Sequence, residues 1–153
     1  MQKVKIEPFK VIGISVRTTN ENGQAATDIP RLWETFMSQG ILEKIPDKID
    51  HTVYSLYTNY EGDYMRPYDT ILGCKVNSLA HIPDGMVGLD VAGGDFLEFI
   101  AKGDLTKDVV VNTWYDIWKK PLPRSYAVDF EIYGEKAQNP ADAEVSIFIG
   151  VKE

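Results

Sequence analysis

Apolar positions near the start of the chain follow two different periods in succession. Residues 9–17 form a largely apolar run rich in β-branched side chains, and a polar run at 18–24 follows it, so we predict a buried strand that ends there. The next apolar positions recur three and four residues apart, which predicts an amphipathic helix. Thr27 and Asp28 are its candidate N-terminal caps, and Pro30 suits its first turn. Gly40 marks its end. Its apolar face comprises Ile29, Leu32, Trp33, Phe36 and Met37.

Two strand-like segments follow this helix, at residues 52–60 and 70–77. The turn-forming sequence Glu61-Gly62-Asp63 lies between them, so we predict that they pair as a hairpin.

The same order of elements begins again after a loop at residues 81–85. A strand is predicted at 96–101, and strands at 126–133 and 144–151 close the chain. The helix between them ends at Pro121, and its apolar face comprises Val110, Trp114, Ile117 and Trp118. This repetition predicts an α+β fold, in which duplicated strand-helix-strand-strand units form an antiparallel sheet with two main helices and a central cleft. We expect one domain, 1–153, made of two pseudo-symmetric halves at about 1–80 and 86–153.

The strand at 126–133 separates two sets of side chains. Asp129, Glu131 and Tyr133 share one face, whereas Phe130 and Ile132 share the other. We expect Phe130 and Ile132 to pack under a helix, which would point Glu131 away from the helical layer and into a hollow covered by the other half. The matching position in the first hairpin is Tyr57, whose hydroxyl is a candidate hydrogen-bond partner for that carboxylate.

Charge and composition restrict the kinds of molecule that the protein can bind. Sixteen basic and 23 acidic residues give a net charge of −7, so a phosphate backbone would be repelled and a cation attracted. We see no secretory leader and no apolar run long enough to span a bilayer. A single cysteine, Cys74, precludes an internal disulfide and suits a cytoplasmic protein.

Several short motifs, taken in order, resemble the GyrI-like effector-binding family. They are Gly93-Gly94-Asp95-Phe96, the helix segment 114–118, the turn Leu122-Pro123-Arg124-Ser125, the strand Asp129-Phe130-Glu131-Ile132-Tyr133 and the first-half segment 53–61. The resemblance implies a duplicated fold with a central cleft, which in AraC-type and MerR-type regulators senses cationic, lipophilic drugs. It assigns the family's acidic position to Glu131 and its helix tryptophan to Trp114, and it suggests a freestanding member of the kind found on integron cassettes.

Glu131 is the first candidate for the binding site, surrounded by aromatic side chains whose faces attract cations. The predicted ligand-binding residues are Glu131, Trp114, Tyr57, Tyr133, Phe36, Trp33, Phe96 and Tyr126. For the aromatic residues among them an ordinary core position is the alternative, and we assign Trp118 to the core. No cofactor is predicted, and the isolated His51 and His81 do not suggest a metal site.

Two other functions stay open at this point. A buried glutamate beside a tyrosine could activate water in a small hydrolase acting on reactive electrophiles, although no paired nucleophile and base is evident. The cleft could instead hold a peptide or a partner chain, as in an adaptor. A homodimer or a separate regulator protein is compatible with each of these functions.

Overall fold

The computed structural model describes residues 2–152, which form one antiparallel sheet with helices on one of its faces. The strands are β1 (Gln2–Ile6), β2 (Phe9–Thr18), β3 (Val53–Thr58), β4 (Tyr68–Val76), β5 (Val87–Val91), β6 (Gly94–Gly103), β7 (Arg124–Tyr133) and β8 (Ala143–Val151). The helices are α1 (Ala25–Ser38), α2 (Ile41–Lys44) and α3 (Val109–Trp118). In the sheet the strands are ordered β1-β6-β8-β7-β3-β4-β2-β5.

This architecture confirms the predicted α+β class and the predicted hairpin, which is formed by β3 and β4. The sets β2-α1-β3-β4 and β6-α3-β7-β8 repeat one order of elements, and they meet where β3 pairs with β7. Leu56 lies directly opposite Phe130 at that junction. The division into halves at 1–80 and 86–153 stays a prediction, and strands β1 and β5 each pair across it, with β6 and β2 respectively.

Three elements escaped the sequence prediction, namely β1, β5 and α2. Each is only four or five residues long, which is too short for a period to be recognised. Strand β1 also alternates lysine with apolar residues and is largely exposed, so it has no continuous apolar run.

Helix α1 begins earlier than predicted. It starts at Ala25, so Pro30 lies beyond the first turn, and neither Thr27 nor Asp28 is its cap. Asp28 instead accepts a hydrogen bond from the Thr18 hydroxyl at the end of β2 (2.9 Å). The predicted end is confirmed, because Gly40 adopts the left-handed conformation (φ 60°) that glycine tolerates without strain.

The sheet curls until its two ends meet. Ile6 of β1 is opposite Gly94 of β6, and Phe9 of β2 is opposite Val91 of β5, so the same register continues from the first pair of strands into the second. Within the curl, Gly13 of β2 and Gly73 of β4 are directly opposite each other, and a methyl group on either would overlap the backbone of the other strand.

The concave face of the sheet encloses a core made entirely from strand residues. The Phe130 ring lies 5.4 Å from that of Phe9 and 5.3 Å from that of Phe96, although β2 and β6 are not its neighbours in the sheet. Phe130 and Ile132 both belong to this core, so the expectation that they pack under a helix is wrong. Alternation correctly separates the two faces of β7, but it contains no information on which face the helices cover.

The convex face carries the helices in two separate clusters. Leu32 and Phe36 of α1 pack on Ile12 and Leu72, while α3 anchors Ile117 against β6 and β8. Glu131 therefore faces the helical layer, between α1 and α3. None of the helices within residues 2–152 is long and apolar enough to cross a membrane.

Candidate functional site

A cavity of about 740 Å³ lies between α1 and α3 on the convex face of the sheet. Its floor is formed by β3 and β7 at the junction of the two strand sets, which supply Tyr57, Glu131 and Tyr133. Both helices contribute to its sides, and the loop between β3 and β4 contributes to its rim.

Aromatic side chains from every surrounding element line this cavity. Helix α1 supplies Trp33, and α3 supplies Trp114, Tyr115 and Trp118. The strands supply Tyr57, Tyr68 and Tyr133, and the loop at 59–67 supplies Tyr60 and Tyr64. Many of these rings meet edge to face, as do Tyr57 and Trp114 (5.5 Å) and Trp33 and Tyr133 (4.8 Å), an arrangement that aromatic pairs favour.

Glu131 is the acidic group at the centre of the floor, and only 2% of its surface is exposed. The Tyr57 hydroxyl (2.9 Å) and the Trp114 indole N–H donate to its Oε2 atom, and the Tyr133 hydroxyl donates to Oε1 (2.6 Å). Ser55 in turn donates to the Tyr57 hydroxyl (3.1 Å). The hydrogen bond between Tyr57 and Glu131 that the spacing predicts is therefore present.

No basic side chain that the structure describes compensates the charge of Glu131. Among residues 2–152, the ion pairs of the structure involve other carboxylates, and each hydrogen-bond donor to Glu131 is neutral. Burial raises the pKa of Glu131, whereas the hydrogen bonds from Tyr133, Trp114 and Tyr57 favour the ionised form and oppose that rise. Burial also raises the pKa values of Tyr57 and Tyr133, and the nearby Glu131 charge raises them further, so both hydroxyls stay protonated as donors.

A second buried carboxylate, Asp129, has the opposite surroundings. Its Oδ2 atom accepts from Arg124 Nη2 (2.7 Å) and from the Tyr60 hydroxyl (2.6 Å), and its Oδ1 atom accepts from the Gly150 amide (2.9 Å). Asp129 is fully buried, and Arg124 is 7% exposed. The two carboxylates on this face of β7 thus differ, because Asp129 is neutralised by a cation and Glu131 is not.

Five of the eight predicted ligand-binding residues line the cavity, namely Glu131, Trp114, Tyr57, Tyr133 and Trp33. The structure places Phe36 and Phe96 elsewhere: Phe36 is in the core under α1 and Phe96 is in the core of the concave face. Tyr126 is not among the lining residues, and it packs behind them against Tyr60 and Arg124.

The assignment of Trp118 to the core is wrong. Trp118 is only half-buried, and its ring stacks on that of Tyr64 (5.1 Å, 21° between planes) at one end of the cavity. Helical spacing placed Trp118 beside Ile117 and Trp114, but Ile117 is the residue of α3 that is buried against the sheet, and Trp118 lines the cavity instead.

The loop at 59–67 supplies cavity residues that the sequence prediction missed. Thr19 donates to the Met65 carbonyl (2.9 Å) and Asn20 donates to the Tyr64 carbonyl (2.6 Å), which holds the loop against the segment that precedes α1. The sequence did contain a signal for these cavity residues in the segment that we interpreted as a plain hairpin turn. Tyrosines recur there three and four residues apart, at Tyr57, Tyr60, Tyr64 and Tyr68.

The cysteine and the two histidines lie away from the cavity lining. Cys74 is fully buried in β4, where burial raises the pKa of its thiol to about 11, as suits an inert thiol. His51 and His81 are both exposed. The cavity thus combines the buried Glu131 carboxylate, the exposed Asp108 carboxylate, the Arg124 guanidinium group paired with Asp129 and a wall of aromatic rings.

Comparison with known protein families gives a match along almost the whole chain. A family model described as an integron-associated effector binding protein matches residues 4–151. The "Putative transcriptional regulator protein YobU" of Bacillus subtilis (strain 168) is 27% identical over 146 residues, which are 92% of this chain and 91% of that protein.

Solved structures agree with this match. The integron cassette protein VCH_CASS2 from the mobile metagenome of Vibrio cholerae is 33% identical, with a TM-score of 0.78 over 99% of this chain and 95% of that one. The protein SAV2435, solved with bound tetraphenylphosphonium, has a TM-score of 0.80 over 99% of this chain and 93% of that one, at 17% identity. The similarity to SAV2435 concerns the fold alone.

Proposed function

Because the chain belongs to the family of integron-associated effector binding proteins, we propose that its effector is a lipophilic organic cation held in the cavity above Glu131. The observation that carries this proposal is a buried carboxylate that has no basic partner in the described part of the chain and is set in the floor of an aromatic cavity. Sensing or sequestering such a compound would be the corresponding cellular role.

The charge of Glu131 supports a cationic ligand. Removing a carboxylate from water costs several kcal/mol unless a cation compensates it, and neutral donors compensate it only in part. A bound cation would supply the missing charge in a site from which water is largely excluded, where Coulomb attraction is strong. The net charge of −7 would also draw cations towards the protein.

The hydrogen bonds of Glu131 narrow the type of cation. A carboxylate has about four lone-pair sites, and donors of the protein already occupy three of them. About one site remains, so an ammonium group with several N–H donors could pair only one of them with Glu131 unless it displaced those partners. A quaternary, phosphonium or delocalised cation needs only the charge, so it fits the site better.

The aromatic wall supports an apolar ligand body. Each ring offers apolar area and an electron-rich face, with a cation–π attraction of roughly 0.5 to 2 kcal/mol. A volume of about 740 Å³ lies within the range that small-molecule pockets occupy. Tetraphenylphosphonium, the compound bound to SAV2435, has four phenyl rings, a permanent charge and no N–H group, so it is a suitable probe.

The test is a titration of the protein with tetraphenylphosphonium, followed by calorimetry and by quenching of tryptophan fluorescence. We expect Glu131→Gln to fold and to bind at least about tenfold more weakly, which corresponds to about 1.4 kcal/mol. The matched control is Glu34→Gln, which removes the same charge from an exposed position of α1 and should leave the affinity unchanged.

A second ligand distinguishes the effect of the ligand's charge on binding from the effect of its shape. Tetraphenylborate has the same four phenyl rings and the opposite charge, so the wild-type protein should not bind it. Equal binding of the two ions, or equal affinity of wild type and a folded Glu131→Gln, would overturn the proposal. Turnover of a reactive electrophile that depends on Glu131 would favour a hydrolase instead.

A further inference from the structure

Arg124 is a buried cation in the wall of a cavity that we assign to cations. Its guanidinium group pairs with Asp129 through Nη2 alone (2.7 Å). Its other donor nitrogens, Nε and Nη1, are buried and find no hydrogen-bond acceptor within residues 2–152. Buried donors are almost always paired, so these two need a physical explanation.

Two aromatic rings surround the Arg124 guanidinium group. The Tyr126 ring covers the guanidinium at 4.4 Å, and the Trp114 ring lies at 6.0 Å from it. Aromatic rings stabilise the faces of a guanidinium group but cannot accept the in-plane hydrogen bonds of its N–H groups. An acceptor that reaches Nε must therefore approach in the plane of the guanidinium group, past these two rings.

The location of Arg124 relates it to Glu131. Asp129 and Glu131 are two residues apart on one face of β7, a separation of roughly 7 Å along a strand. Arg124 is in direct contact with Asp129 and lines the same cavity as Glu131. Since Asp129 neutralises Arg124, the pair offers donors without strongly repelling a cation held above Glu131.

We propose that the effector carries a hydrogen-bond acceptor, best a carboxylate, a short distance from its cationic centre, and that Arg124 binds this acceptor through its unpaired Nε–H. The inference rests on the proposed function, because it locates the cationic centre at Glu131. It makes the natural ligand a bipolar molecule: an apolar cation with an acceptor arm about five bonds long. Tetraphenylphosphonium has a positive charge for Glu131 but no hydrogen-bond acceptor for Arg124.

Two phosphonium ions that differ only at the end of one arm provide the test. Carboxybutyl-triphenylphosphonium carries a carboxylate at about pH 7.5, whereas pentyl-triphenylphosphonium has a methyl group at nearly the same position. We expect the wild-type protein to bind the carboxylate compound about tenfold more tightly, as suits charge-assisted hydrogen bonds. In the double variant Arg124→Gln/Asp129→Asn, which removes both charges of the pair, the ratio of the two affinities should fall towards one.

The outcomes separate the two proposals. If neither compound binds, the proposed function fails. If both bind wild type equally, the bipolar ligand is excluded and cation binding stands. If the carboxylate compound binds more tightly and a folded double variant keeps that preference, the acceptor is held elsewhere and Arg124 is not its partner.

A measurement on the wild-type protein covers the case in which the double variant does not fold. The chain has four arginines, and Arg17, Arg31 and Arg66 are exposed. The Nε–H resonance of buried Arg124 should therefore be distinct in a nitrogen-edited NMR spectrum. It should shift with the carboxylate compound and stay in place with the pentyl compound, and equal behaviour with both would contradict the proposal.

Discussion

Glu131 brings a negative charge into a region that water hardly reaches. Hydrogen bonds from Tyr57, Trp114 and Tyr133 lower the cost of that charge, while burial raises the pKa of the carboxyl group above its usual value of 4.5. The protonation state of this one residue should therefore control cation binding.

The affinity for tetraphenylphosphonium should depend on pH. The proposed binding needs ionised Glu131, whose pKa in the folded protein lies above 4.5. Binding should therefore be complete above that pKa and should fall as the pH is lowered through it. The probe has no titrating group, so calorimetry between about pH 8 and pH 5 isolates the protein's contribution. Glu131→Gln should bind weakly at every pH; the same profile in that variant would assign the dependence to another group.

Removing one donor should alter both stability and this pH profile. Tyr133→Phe leaves Glu131 Oε1 without its hydrogen bond, which should lower the free energy of unfolding at neutral pH by about 1 to 3 kcal/mol. The ionised carboxylate loses a partner, so its pKa and the midpoint of the binding profile should move to higher pH. Urea unfolding and calorimetry measure the two effects.

The control for Tyr133→Phe is Tyr115→Phe. Tyr115 also lines the cavity but is 49% exposed, and it donates to none of the described carboxylates. An equal loss of stability in both variants would show that the effect does not come from Glu131.

The two helices that flank the cavity are attached to the sheet to different extents. Helix α1 has 14 residues and buries Ala25, Leu32 and Phe36, whereas α3 has 10 residues and buries only Ile117. Val111 and Tyr115 of α3 are exposed at the cavity. Because tertiary packing supplies most of the stability of short helices, α3 is the weaker wall.

Hydrogen exchange should reveal this difference. Amides of α3 should exchange faster than those of α1, since local opening is easiest where little apolar surface is buried. Saturation with tetraphenylphosphonium should slow exchange in α3 more than in α1, because a ligand adds contacts to its rings. Equal protection of both helices in the free protein, or no change in α3 on binding, would contradict this expectation.

The molecule as a whole depends on the curl of its sheet. The curl encloses the all-strand core around Phe130 and turns the opposite face of β7, with Glu131, towards the helices. The facing glycines Gly13 and Gly73 allow β2 and β4 to approach more closely than side chains would permit.

A methyl group at Gly13 should disrupt the fold. Gly13→Ala would overlap the Leu72 carbonyl oxygen, so we expect a loss of about 3 kcal/mol in urea unfolding, or failure to fold. Gly134→Ala is the control, because its methyl group would make only an ordinary contact with Thr52 at 3.4 Å. Similar stability of Gly13→Ala and wild type would mean that the close approach is not needed for the curl.

Sequence periodicity alone determined much of this molecule. It predicted β2, α1, the β3–β4 hairpin, β6, α3 and the last two strands, because each buries one side over a long enough segment for the period to be visible. Alternation along β7 placed Asp129, Glu131 and Tyr133 on one face, and the matched spacing of the hairpins paired Tyr57 with Glu131. These are relations within a strand or between repeated segments.

Only the tertiary structure decided which face of the sheet the helices cover and which rings reach the cavity. Phe130 went to the concave core, Phe36 and Phe96 to packed cores, and Trp118 to the cavity. The pairing of Arg124 with Asp129, which leaves two donors free, was equally hidden. A repeating pattern shows which side chains share a face, whereas the curvature of the sheet and contacts between distant segments determine what lies opposite that face.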